Sequence, residues 1–78
     1  MKYKLKHWNF RIISHVTDKG EKWLGIHEVY YDEKEKPQCY SSDPQSVMGE
    51  SIEDIKWFLS SMKKALDKPI LKEEDFKK

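Results

Sequence analysis

The 78-residue chain predicts an α+β domain in which a three-stranded antiparallel sheet, a β-meander, packs on one C-terminal amphipathic helix. Three observations carry that expectation. Apolar and polar residues alternate along Trp8–Thr17, bulky β-preferring side chains crowd Trp23–Asp32, and a helical 3.6-residue pattern occupies the segment after Gly49. One domain is all that this length supports, and it spans residues 1–78.

The first strand, about residues 8–17, places Trp8, Phe10, Ile12 and Val16 against Asn9, Arg11, His15 and Thr17, and only Ile13 breaks the alternation. Asp18-Lys19-Gly20 supplies the turn, and the second strand runs over about 22–31. Its register is ambiguous, because Leu24 and Ile26 lie on one face and Val29 and Tyr31 on the other. A bulge near His27-Glu28 would bring both pairs to one core side. The charged run Asp32–Lys36 makes a second reversal, and a short edge strand at about 37–42 starts at Pro37. Residues 42–49 read as a loop.

Ser51 is the expected N-cap of a helix over about 51–67, with Glu53 and Asp54 in the first turn and lysines toward the end before Pro69. Ile52, Ile55, Phe58, Leu59, Met62, Ala65 and Leu66 fall on one arc, whereas Trp57 lies outside it. Ile70 and Leu71 are expected to pack back on the edge of the domain, and the tail over 72–78 to fray.

Charge is segregated. Residues 1–22 carry a net +4, residues 28–54 a net −6 and the remainder +3, which together give the formal +1. Ten aromatic residues supply enough burial to disfavour a disordered chain. The single Cys39 excludes an intramolecular disulfide, and no apolar run approaches the ~20 residues that span a bilayer. The N-terminal Met-Lys-Tyr-Lys-Leu-Lys lacks the apolar stretch of a signal peptide. These features suggest a cytoplasmic protein without a membrane segment.

Taken together, Trp8–Ile13, Gly25–Asp32, Gly49-Glu50-Ser51 and Ala65–Leu71 resemble a group of short, uncharacterised bacterial and phage proteins that share the Ile26–Asp32 strand and the Ala65–Leu71 helix end. The resemblance spans most of residues 8–71. It implies a bacterial or phage origin and a fold, but no catalytic residue, because no activity accompanies the group. The chain departs from it at Glu35, where a glycine would suit the second turn.

No catalytic motif, cofactor or metal is expected. His27-Glu28 opens like the zinc-protease helix motif, but Tyr31 stands where the second histidine is required, and the segment reads as a strand. His15 is placed to approach His27 across the sheet. A metal cluster of those two with Cys39 or Glu28 is conceivable but weighs little against plain core and surface roles. Gly20, Gly25 and Gly49 are too far apart for a phosphate loop, so an enzyme is not expected.

The expected function is therefore protein binding, to a partner or to a second copy in a homodimer. Trp57, a large ring among polar helix positions, is the first candidate anchor, with Lys64 beside it on the wheel. Tyr30, Tyr40 and Ile13 would form a second patch if they share the outer sheet face. The competing reading for Trp57 is that Ile70, Leu71 or Phe76, or else Tyr3 and Leu5, fold over it. A weak nucleic-acid-binding βββα domain using Arg11, Lys6, Lys19 and Lys22 is the alternative. The acidic middle of the chain and a pI near 7.8 argue against it.

Overall fold

A computed structural model describes residues 7–76. The chain is α+β, with strands β1 (His7–Val16), β2 (Lys22–Tyr31) and β3 (Pro37–Tyr40), helix α1 (Ile52–Lys63), and a two-residue strand β4 (Leu71–Lys72). A 3₁₀ turn at Lys64–Asp67 continues α1, and a second one at Glu73–Phe76 follows β4. The sheet is four-stranded and mixed, in the order β3-β2-β1-β4. The expected three-stranded antiparallel meander is thus its larger part, and β4 adds to it by pairing parallel to β1, Ile13 with Leu71 and Ser14 with Lys72. No described helix is long and apolar enough to cross a membrane.

The β1–β2 ladder is unbroken from His7 opposite Tyr31 to Val16 opposite Lys22. There is consequently no bulge at His27-Glu28. The irregularity lies on the other side of β2, where Tyr30 pairs with Cys39 and Tyr31 with Pro37. A continuous ladder is possible because both faces of the sheet are covered, so neither apolar pair of β2 has to change sides. Phe10, Ile12 and Ile26 pack with Met62, Ala65 and Phe58 beneath α1 and the turn that follows it. Ile13, Val29 and Tyr31 pack with Tyr40, Leu71 and Phe76 on the opposite face.

Two expectations are corrected by this second cluster. Ile13, read as a break in the alternation and a candidate for an exposed patch, is completely buried at the centre of the sheet. The segment 72–76, expected to fray, forms β4 and a 3₁₀ turn that cover this face, whereas residues 77–78 lie outside the described range. Arg11 anchors the approach to β4, since its guanidinium donates through Nη1 to the Tyr31 hydroxyl at 2.9 Å and through Nη2 to the Pro69 carbonyl at 2.8 Å.

Helix α1 begins as its cap residues dictate. Ser51 has extended backbone and its hydroxyl accepts from the Asp54 amide at 3.2 Å, while the Asp54 carboxylate accepts from the Glu50 amide at 3.0 Å. The α-helix ends at Lys63 and gives way to the 3₁₀ turn, sooner than the expected end at residue 67. Pro69 disfavours helical backbone at Lys68, which is extended.

Both hairpins use one turn geometry, fifteen residues apart. The Thr17 amide donates to the Glu21 carbonyl and the Gly20 amide to the Thr17 carbonyl; the Asp32 amide donates to Lys36 and the Glu35 amide to Asp32. In each, the side-chain oxygen of the first residue accepts two further amides, Lys19 and Glu21 at Thr17, Lys34 and Lys36 at Asp32. A three-residue turn of this kind needs left-handed backbone at its last position. Gly20 meets that need at φ 83°, but Glu35 is held at φ 66°. A non-glycine residue there costs roughly 1–2 kcal/mol, of which glycine's larger loss of freedom on folding returns about 0.5–1. Glu35→Gly is therefore expected to stabilise the protein by up to about 1 kcal/mol in a urea titration. An unchanged or lower midpoint would mean that Glu35 is not strained.

Candidate functional site

The helix-side face of the sheet carries a groove. β1 presents Trp8 and Phe10 to this face, α1 brings Trp57 and Ser61, and the 3₁₀ turn after it brings Lys64 and, at its end, Lys68, at spacings of four, three and four residues. With Asn9 these residues line a depression of about 470 Å³. Phe10 is buried as its floor. Trp8 meets Phe10 edge-on at 5.3 Å between ring centroids, and Trp57 meets Phe10 and Phe58 in the same manner at 6.3 and 5.1 Å. These contacts fix the two indoles without covering them, and Trp8 stays 43% exposed and Trp57 52%.

The C-terminal segment does not provide the cover considered for Trp57. Leu71 and Phe76 pack on the opposite sheet face, and Ile70 is half exposed. Tyr3 and Leu5 lie outside the described residues, as does Lys6. Of the five candidate anchors, Trp57 and Lys64 line the groove. Tyr30 is on the same face, paired across the strands with Trp8, and its hydroxyl donates to the Glu28 carboxylate. That bond, foremost, raises the Tyr30 pKa above its ordinary value. Tyr40 and Ile13 sit on the other face, in the second core cluster, and so form no patch with Tyr30. Among the cations of the alternative reading, Arg11 is engaged with Tyr31 and Pro69, while Lys19 and Lys22 sit at the β1–β2 hairpin end. Trp8 was missed as an anchor because strand alternation marks it only as an inward residue near a strand end.

The other concentration of chemistry is buried. His15 and His27 do not pair directly in the ladder, since Trp23 is opposite His15 and Arg11 is opposite His27, with Gly25 between them on β2. Their rings meet over that glycine, Nε2 to Nε2 at 2.9 Å. A Cβ on Gly25 would lie 3.0 Å from His27 Nε2 and 3.0 Å from the Trp23 ring. The absent side chain is what lets the two imidazoles touch. His27, completely buried, donates through Nδ1 to the Ser41 carbonyl at 2.9 Å, and His15 Nδ1 contacts Glu73 Oε2 at 2.5 Å.

Hydrogen-bond complementarity assigns the protons. A carbonyl only accepts, so His27 carries a proton on Nδ1, and complete burial disfavours a second one, which leaves its Nε2 to accept from His15 Nε2. His15 in turn meets Glu73 through Nδ1 and stacks on the Trp23 ring at 4.2 Å. All four ring nitrogens are thereby used inside the protein, and neither ring has one left for a metal or a substrate proton. Cys39 and Glu28, the third ligands considered in the sequence, belong to the opposite face, where Cys39 pairs with Tyr30 and Glu28 with Phe10. Among the described residues no three His, Cys, Asp or Glu side chains gather to hold a metal ion.

No protein-family model matches this chain, and no curated protein or solved structure is significantly similar to it.

Burial, and secondarily the charge of His15, hold the His27 pKa below its ordinary 6.5, against the opposing hydrogen bond to Ser41 and the charge of Asp43. The unfolded chain takes up a proton at this residue near pH 6.5, whereas the folded chain does so only at lower pH. His27 thus leaves stability unaffected above pH 6.5 and lowers it as pH falls from there toward its folded pKa. Thermal unfolding between pH 7.5 and 5.0 should show a decline in midpoint that is shallower in His27→Asn, which itself starts about 1–3 kcal/mol lower from the lost buried bonds. Parallel pH profiles for the two proteins would contradict this assignment.

Proposed function

We propose that this protein is a small, non-catalytic protein-binding module of bacterial or phage type, cytoplasmic, which recognises a partner through the groove between β1 and α1. The observation that carries the reading is the pair Trp8 and Trp57, each about half exposed over the buried ring of Phe10. Tryptophan is the residue most enriched at the energetic centres of protein interfaces, where a large rigid ring loses little entropy on binding. An ordinary surface scatters single apolar residues; two indoles fixed edge-on to a shared floor concentrate them at one place.

A second copy of the chain is one candidate partner. Ile52 and Leu59 on α1 and Leu66 in the turn that follows it are exposed at seven-residue spacing, which supplies further apolar surface. A groove residue that acts as an anchor should lose binding when truncated and leave the fold intact.

Selection of random displayed peptides on the immobilised full chain tests the reading. Binders are expected that lose at least tenfold in affinity toward Trp57→Ala, a loss of about 1.4 kcal/mol, while circular dichroism of the variant is unchanged. Sedimentation equilibrium at micromolar concentration reports self-association in parallel. No binders, or binders indifferent to Trp57, together with a strict monomer would overturn the proposal.

A further inference from the structure

We infer that the groove receives an acidic peptide segment in extended conformation, with an apolar side chain inserted between Trp8 and Trp57 and carboxylates set against Lys64 and Lys68. The inference rests on the protein-binding reading and adds the chemistry of the partner.

The groove has two chemically distinct ends. At one, Trp8, Phe10 and Trp57 offer three aromatic surfaces and no charge. At the other, Lys64 and Lys68 follow Trp57 and Ser61 at the two ends of the 3₁₀ turn, and the described lining contains no carboxylate. Neither lysine forms an ion pair among the described residues. Two unneutralised ammonium groups beside an apolar slot favour a ligand that is apolar at one point and anionic further along.

Spacing sets the order of those groups. Lys64, the residue that caps the end of α1, is seven residues from Trp57, or about 10 Å at 1.5 Å per residue. Lys68 lies four residues further through the 3₁₀ turn, roughly another 8 Å at 2.0 Å per residue. An extended chain covers about 3.3 Å per residue. The matching ligand therefore has its apolar anchor three residues from the first carboxylate, and the second carboxylate two residues beyond it. Helix and strand geometry do not impose a chain direction, so either order of the sequence satisfies the spacing.

A nucleic acid strand would also stack on the indoles and approach the lysines. Its charge is continuous, however, and on this face the Glu28 carboxylate lies directly across the ladder from Phe10. A polyanion running through the groove past Phe10 meets that charge, whereas a peptide carries its carboxylates only at the lysine end.

The test uses the full chain, the blocked hexapeptide Phe-Ser-Ser-Glu-Ser-Glu and its reversed sequence, the same two peptides with lysine in place of glutamate, and an oligothymidylate single strand. Indole N–H resonances of Trp8 and Trp57 report occupancy. One of the acidic peptides is expected to shift both resonances, and to bind about tenfold more weakly to the double variant Lys64→Glu, Lys68→Glu, since two surface ion pairs are replaced by repulsions. The same variant is expected to gain affinity for the lysine peptide of that orientation. Equal binding of acidic and basic peptides, absence of binding by all four, or tighter binding of oligothymidylate would each overturn the inference. Displayed peptides that depend on Trp57 but carry no acidic residues would overturn this ligand chemistry while leaving the protein-binding proposal standing.

Discussion

A sheet that buries both faces needs two covers, and in so short a chain one helix supplies only the first. Ile13 and Val29 are fully buried on the face away from α1, and the material over them is the segment after Pro69. Two polar anchors hold that segment. Arg11 bonds to the Pro69 carbonyl at its start, and Glu73 bonds to His15 near its end, where His15 in turn leans on His27. Phe76 then closes over Tyr40 at 4.7 Å between ring centroids. Burial of the two histidines is tolerated because every ring nitrogen has a partner, and the unbroken β1–β2 ladder follows from having a second cover at all.

This arrangement leaves α1 free of the task of enclosing the whole core. The helix rests on the sheet through Phe58 and Met62, with Ala65 in the turn beyond, so its other flanks carry Trp57 on one side and Ile52 and Leu59 on the other. A helix held along one narrow line opens a groove beside it. The proposed binding surface is in this sense a consequence of how the core is divided between helix and tail.

Much of the fold is legible in the residues themselves. Alternation in β1, the Gly20 turn and the Ser51 cap are local signals, each read within a few neighbouring positions. What local reading misses is long-range. β4 has only two residues and no alternation, so nothing marks it as a strand until Ile13 is seen to need cover. Ile13 and Val29 look misplaced in a one-sided sheet, and the same residues are ordinary core in a two-sided one. His15 and His27 are suggestive as a pair, but their contact depends on the diagonal register and on Gly25, and their partner Glu73 lies 58 residues from His15 in an acidic run that reads as solvated tail. For the groove, the helix wheel isolates Trp57, whereas Trp8 joins it only through the packing of β1 against α1.

The chain of contacts from Glu73 through His15 and His27 to Ser41 fastens the C-terminal segment over the sheet. Ring-nitrogen NMR of the full chain at pH 7, with nitrogen-15 in the histidines, tests it most directly, because each nitrogen reports whether it carries a proton. His27 is expected to be neutral with its proton on Nδ1 and a bare Nε2, and His15 to carry a proton on the Nε2 that donates to it. A His27 ring protonated on Nε2, or two rings exchanging freely between tautomers, would contradict it.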